Sequence, residues 1–365
     1  MAVTTKKMLA VYMAASINPQ TFFAGLFAVT PDSFFESEAV EIDVVRDDQQ
    51  IAITVQDVSA GYRMNADSIF QNNEIVPPAF KEAFTVNAFE LMQRQPGQNP
   101  FQNPGLRFTL VRKVYAGVDR IGRKIRRANE LQAAQVMQEG KATFRDENGL
   151  TLYTLNYQPK TTHFPTAAVA WSPTSDIIGD LTSLASVVRT DGKVTPNRLI
   201  FGEAAWAMAQ QNDAFMKRFD IRNANYGSIE MPEMRGNGGT YHGRITLGTY
   251  TYEIWTYDAT YEDPQTGDTV PYMNPAKVVV MSTQSRLNAL FGAVPNIGEI
   301  LGDSTRAAFL PELPPRLSSA AEAFDLHITA WMDERKENLF AGAASRPAFV
   351  PTAIDSFGCL DTGIV

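Results

Sequence analysis

Apolar and polar positions along the chain follow two periods. Val40-Glu-Ile-Asp-Val44 and Ile51-Ala-Ile-Thr-Val55 alternate every second residue, with Arg46-Asp-Asp-Gln-Gln50 between them. That pattern predicts two strands joined as a β-hairpin. Val111, Val114, Val118, Ile121, Ile125 and Ala128 instead recur at spacings of three and four, which is one side of a helix. Asn103-Pro104 offers a cap and first turn, and Gly140-Lys141 a stop. The predicted helix, about 105 to 139, would run roughly 50 Å at 1.5 Å per residue. Leu106-Arg-Phe-Thr-Leu110 also alternates like a strand, and Gly117 and Gly122 weaken the helical reading.

Beyond residue 150 the elements shorten. Leu152–Tyr157 and Arg198–Phe201 read as strands. Asp176–Val188 reads as a helix capped by Thr174 or Ser175, and Glu203–Phe219 as one amphipathic helix. A meander is expected from Gly243–Leu247, Tyr250–Tyr257 and Lys277–Met281, with a loop tip at Glu262–Asp268. Phe324–Trp331 alternates as an edge or long-hairpin strand would, and no internal repeat is present. The fold class is α+β.

Two stretches cannot bury themselves unaided. Residues 1–38 hold the apolar clusters Met8–Met13, Phe22–Val29 and Phe34–Phe35, broken by Asn18-Pro19 and Thr30-Pro31. This arm should lie against the rest of the protein or another subunit. A lone hairpin is marginal in water, so the excursion of about 39–100 also needs a docking partner. Lys6-Lys7 before Met8–Ala15 imitates a secretory signal, but a short amphipathic arm is the better reading, and the chain reads as cytoplasmic when made. Phe22–Val29 is eight residues against the twenty or so of a membrane span, so no membrane partner is expected.

Composition narrows the chemistry. The chain has 365 residues, 44% hydrophobic and 20% charged, enough for two compact units or one core with large excursions. One cysteine, Cys359, excludes a disulfide framework or a thiolate zinc site and reads as a packed thiol. His163, His242 and His327 lie some eighty positions apart, without metal-ligand spacing. No G-x-S-x-G elbow occurs. Arg235–Gly243 is glycine-rich but lacks phosphate-loop spacing, so a turn on Asn237-Gly238 explains it. Glu262, Asp263 and Asp268 read as a solvated tip. No cofactor, metal or catalytic residue is expected.

Charge placement says more. Residues 105–127 carry eight cations against Asp119, an excess of +7 in a chain of net charge −8. On a helix, Arg112, Lys113, Arg120, Arg123, Lys124 and Arg127 fall within roughly 120° of one another, opposite the apolar series. Residues 36–48 hold Glu36, Glu38, Glu41, Asp43, Asp47 and Asp48 against Arg46 alone. A solvated surface is the plain reading of such a basic face. Complementarity between subunits, acidic strand on basic helix, is the other.

Several stretches, in this order, resemble one family: Asn197–Trp206 with its helix through Lys217-Arg-Phe-Asp220, Tyr241-His-Gly-Arg244, Tyr252–Tyr257, Pro275–Gln284 and Ser345–Pro351. Together with the arm, hairpin and long helix they resemble the major capsid proteins of tailed bacteriophages, within them the lambda-type head protein E family. The resemblance implies the Hong Kong ninety-seven type capsid fold: an N-terminal arm (1–38), an extended loop (39–100), and the first part of a peripheral domain (101–189) with its spine helix at 105–140. An axial domain (190–312) and returning peripheral strands (313–365) would follow. It implies hexamers and pentamers of an icosahedral shell around packaged double-stranded DNA, touched without sequence preference. A scaffolding protein, a portal and a decoration protein are the implied partners. The implied location is the virion, with the host cytoplasm during assembly. The alternatives are an encapsulin-like nanocompartment shell of the same fold and a cytosolic enzyme with a scattered site.

Overall fold

Strand alternation builds the largest unit. The computed structural model describes residues 20–35, 40–45, 70–87, 106–146, 149–219, 227–235, 238–295, 321–322, 326–332 and 338–364. A six-stranded sheet has the order Phe357–Asp361, Lys277–Met281, Arg198–Phe201, Tyr250–Thr256, Gly239–Leu247, Gly227–Arg235. Arg198–Phe201 and Tyr250–Thr256 are parallel, and the other neighbours are antiparallel. Successive side chains point to opposite faces. Leu199, Phe201, Ile254, Val278 and Val280 therefore face one core, while Ile200, Trp255, Val279 and Met281 face another.

Helices α2 (Ile177–Gly192), α3 (Glu203–Gln211) and α4 (Asp213–Met216) cover the first face, through residues such as Leu181, Leu184, Ala209 and Phe215. The second face meets the rear of α1 (Leu106–Glu139), whose Ala133, Ala134, Val136 and Met137 are fully buried. The front of α1 lies on a separate three-stranded sheet of His327–Met332, Asn338–Ser345 and Phe80–Asn87. There Val114 and Val118 pack with Val86, Ala330, Leu339 and Ala341, and Ile121 and Ile125 with Ala343. Among the described residues, no helix is long and apolar enough to cross a membrane.

Several expectations change. The expected partner of Val40–Val44 was Ile51–Val55. Instead Val40–Val45 pairs antiparallel with Phe70–Ile75, and Ile51–Val55 lies outside the described residues. The expected meander fails at its third strand: Lys277–Met281 crosses to the far side of Arg198–Phe201, because its uninterrupted Val278-Val279-Val280 run needs cover on both faces. The helix expected from about residue 105 does form from Leu106, so the strand-like alternation of Leu106–Leu110 does not prevail. Asp176, not Thr174 or Ser175, caps α2 by accepting the Gly179 N–H at 2.9 Å, and α2 continues to Gly192. The single helix expected over 203–219 breaks at Asn212. Its backbone is extended there, and its side chain accepts the Phe215 N–H at 2.9 Å and donates to the Ser175 carbonyl at 2.8 Å.

Two glycines of α1 have definite tasks. Gly140 ends the helix at φ +65°, its N–H donating to the Val136 carbonyl at 2.8 Å. At Gly117 a Cβ would overlap the Phe84 ring, so this glycine admits the sheet to the helix. The described part of the arm docks at home: Phe22, Phe23 and Phe27 enter the second core, Ala28 bridges Asn288, and Phe34–Phe35 pairs parallel with Phe291–Gly292.

Candidate functional site

The apolar series of α1 faces inward as its spacing requires: Val114, Val118, Ile121 and Ile125 are buried, and Val111 and Ala128 are half-buried. The opposite stripe is a basic surface. Arg112, Arg120, Lys124 and Arg127 are exposed, and Arg123 is half-buried and ion-paired with Asp119 at 3.2 Å, one turn back. Lys124 reaches across to Glu82 on the underlying sheet at 2.8 Å. Both partners are about half exposed, so this contact adds little to stability. Glu82 was not foreseen, since nothing in the sequence places it beside residue 124.

The acidic half is only partly described. Glu41 and Asp43 lie on the two-stranded ribbon, which joins no other sheet among the described residues. The register sets Glu41 opposite Glu74 and Asp43 opposite Asn72. Glu36, Glu38, Asp47 and Asp48 lie outside the described residues. Arg346, within the Ser345–Pro351 stretch, fixes the root of this excursion: buried, it donates to the Ala293 carbonyl at 2.9 Å and to that of Pro77 at 3.4 Å.

One acid of α1 behaves differently. Glu130 stands eighteen residues after Arg112, five full turns on, and so continues the basic stripe. Yet it is fully buried, because the arm turn at Ala24–Leu26 lies over it. The Phe23 amide donates to Oε1 at 2.7 Å and the Ala24 amide to Oε2 at 2.8 Å. Burial raises this carboxyl to about 7, against the downward pull of those amides. The sequence signal was a lone acid within the Ala128–Met137 stretch.

Several other titratable groups are held by neighbours within the fold. Both ring nitrogens of buried His163 are engaged, Nδ1 at 2.9 Å from the Phe357 carbonyl oxygen and Nε2 at 3.2 Å from Asp191 Oδ2. Lys160, 2.9 Å from Asp191, and His163 hold that carboxyl below its usual range. His242 bonds the Thr256 hydroxyl at 2.8 Å, and burial lowers its pKa. Cys359 is buried, its thiol pushed up to about 12 by desolvation. Among the described residues no His, Cys, Asp or Glu cluster could hold a metal ion.

A long helix with its front on a thin sheet and its rear on one face of a six-stranded sheet, three further helices on that sheet's other face, and a two-stranded ribbon paired with no other sheet among the described residues together form the Hong Kong ninety-seven type capsid fold. Among solved structures the chain is similar to a prophage protein of Escherichia coli CFT073 ascribed to the capsid (15% identity, TM-score 0.63, 98% of each chain covered). It is similar also to a phage-related protein of Bordetella bronchiseptica RB50 (12% identity, TM-score 0.51, 98% of each chain). A third is the bacteriophage PhiM1 mature capsid (10% identity, TM-score 0.51, 96% of this chain and 90% of that one). No curated protein matches. Residues 5–357 match the family of phage major capsid protein E, and the chain belongs to that family. It is a structural shell protein of a bacteriophage.

Proposed function

We propose that the chain builds the icosahedral head of a tailed double-stranded DNA bacteriophage, as hexamers and pentamers enclosing the packaged genome, and that it has no enzymatic role. The family match over residues 5–357 carries this reading. In it, 1–38 is the arm, 39–100 the extended loop, 101–189 and 313–365 the peripheral domain, and 190–312 the axial domain. Head-to-tail contacts between copies close into rings when the rotation closes. Scaffold, portal and decoration proteins are its partners, and DNA meets the shell without sequence preference. Assembly takes place in the host cytoplasm, and the product is the virion.

The acidic ribbon of one subunit, with Glu36, Glu38, Glu41, Asp43, Asp47 and Asp48, docks on the neighbour's Arg112, Arg120, Arg123, Lys124 and Arg127. Support comes from the exposed basic stripe and from the register of Glu41 opposite Glu74 on a ribbon that joins no other sheet among the described residues. Negative-stain microscopy of the purified chain should show closed shells many times one subunit's width, and a compact monomer at every concentration would overturn the shell. Replacing Arg120, Arg123 and Arg127 by Glu should abolish shells. Shells at wild-type yield, with only DNA filling impaired, would instead assign the basic stripe to the genome side.

A further inference from the structure

Glu130 is the point at which α1 holds the arm. The turn at Ala24–Leu26 begins with amides that have no partner inside so short a helix. Glu130 takes two neighbouring ones, Phe23 at 2.7 Å and Ala24 at 2.8 Å, one on each carboxyl oxygen. Aromatic contacts surround the joint: Phe22 stacks on Tyr257 at 5.1 Å and lies 5.7 Å from Trp255, and Phe23 meets Tyr257 edge-on at 5.4 Å.

Among the described residues, few groups face the carboxyl. The sheet side contributes the phenols of Tyr257 and Tyr272, both driven upward by burial and then by Glu130 itself, hence neutral near pH 7. Arg127, one turn earlier on α1, acts on Tyr272. The described part of the arm contributes the backbone amides of Phe22, Phe23 and Ala24. No described cation forms an ion pair with Glu130. An ionised carboxylate in such a place lacks the charge partner that would repay its desolvation.

We propose that Glu130 is a proton-dependent latch, fastening the arm turn to α1 while it is protonated and loosening it once it ionises. In the closed form one carboxyl oxygen serves each amide. In the open form Glu130 meets water and titrates as an ordinary carboxyl, and Phe22 and Phe23 become available to another copy. The inference does not depend on the shell reading.

The sign follows from the two forms. Burial raises the closed-form value from 4.5 to about 7, so the contribution to docking is whole below 4.5 and is lost as pH rises to about 7. Opening should therefore grow by up to tenfold per pH unit across that window and level off above it.

Amide hydrogen exchange on the full chain reads this directly. After correction for intrinsic exchange, protection of the Phe23 and Ala24 amides should fall between pH 5 and 7, while that of Gly140, bonded to Val136, stays level. In Glu130→Gln the slope should vanish. A flat wild-type profile at Phe23 and Ala24 overturns the latch, and so does an unchanged slope in E130Q. Should E130Q fail to fold, the wild-type slope and its plateau decide alone.

Discussion

Between Val111 and Ala128, α1 has one side on a three-stranded sheet and the other in water. Between Asn129 and Gln138 the same helix is covered by the arm turn, the Lys141–Arg145 strand and the six-stranded sheet. The front follows its amphipathic pattern, valines and isoleucines in, arginines out. The rear does not: Asn129, Glu130, Gln132 and Gln138 are all buried. Gln138 succeeds there by donating to the Ala134 and Tyr272 carbonyls at 3.0 and 2.9 Å and accepting the Asn274 amide at 2.8 Å. A polar side chain in this helix is thus exposed or buried according to what lies over it.

The contrast can be broken by substitution. The largest loss is expected for Phe23→Ala: the ring is fully buried in the rear core, so about 3–5 kcal/mol should disappear in denaturant unfolding. Val118→Ala at the front, where its side chain meets only the thin sheet, should cost about 2 kcal/mol. If it cost as much as Phe23→Ala, the two ends would be equally enclosed and the comparison would fail. Gly117→Ala opposes a helix-propensity gain of about 1 kcal/mol to a clash with the Phe84 ring costing about 1–3 kcal/mol, so thermal unfolding should show a small net loss. A net gain would mean that Phe84 moves aside. The smallest effect is expected for Lys124→Ala, under about 1 kcal/mol, since its pair with Glu82 is solvated.

Much of this architecture was legible because it depends on local pattern. The spacing of Val114 to Ile125 and the Gly140 stop define α1 to within a residue, and alternation marks His327–Met332 as an edge strand. Register and layer order were not legible, since they depend on distant partners. Val40–Val45 alternates equally well beside any strand, and only the folded chain selects Phe70–Ile75. The valine run of Lys277–Met281 marks a strand covered on both faces, but not that its neighbours are Arg198–Phe201 and Phe357–Asp361. Of the site, the basic stripe was visible through its periodicity. Glu130 was hidden because periodicity assigns it to the solvent side, and a non-local arm overrides that assignment.

The strand Phe357–Asp361 gives Phe357 and Cys359 to one core and Leu360 to the other. During translation, therefore, neither core can close until this late segment has left the ribosome. A nascent copy stays unripe until residues 357–361 have emerged, which postpones its encounter with finished copies.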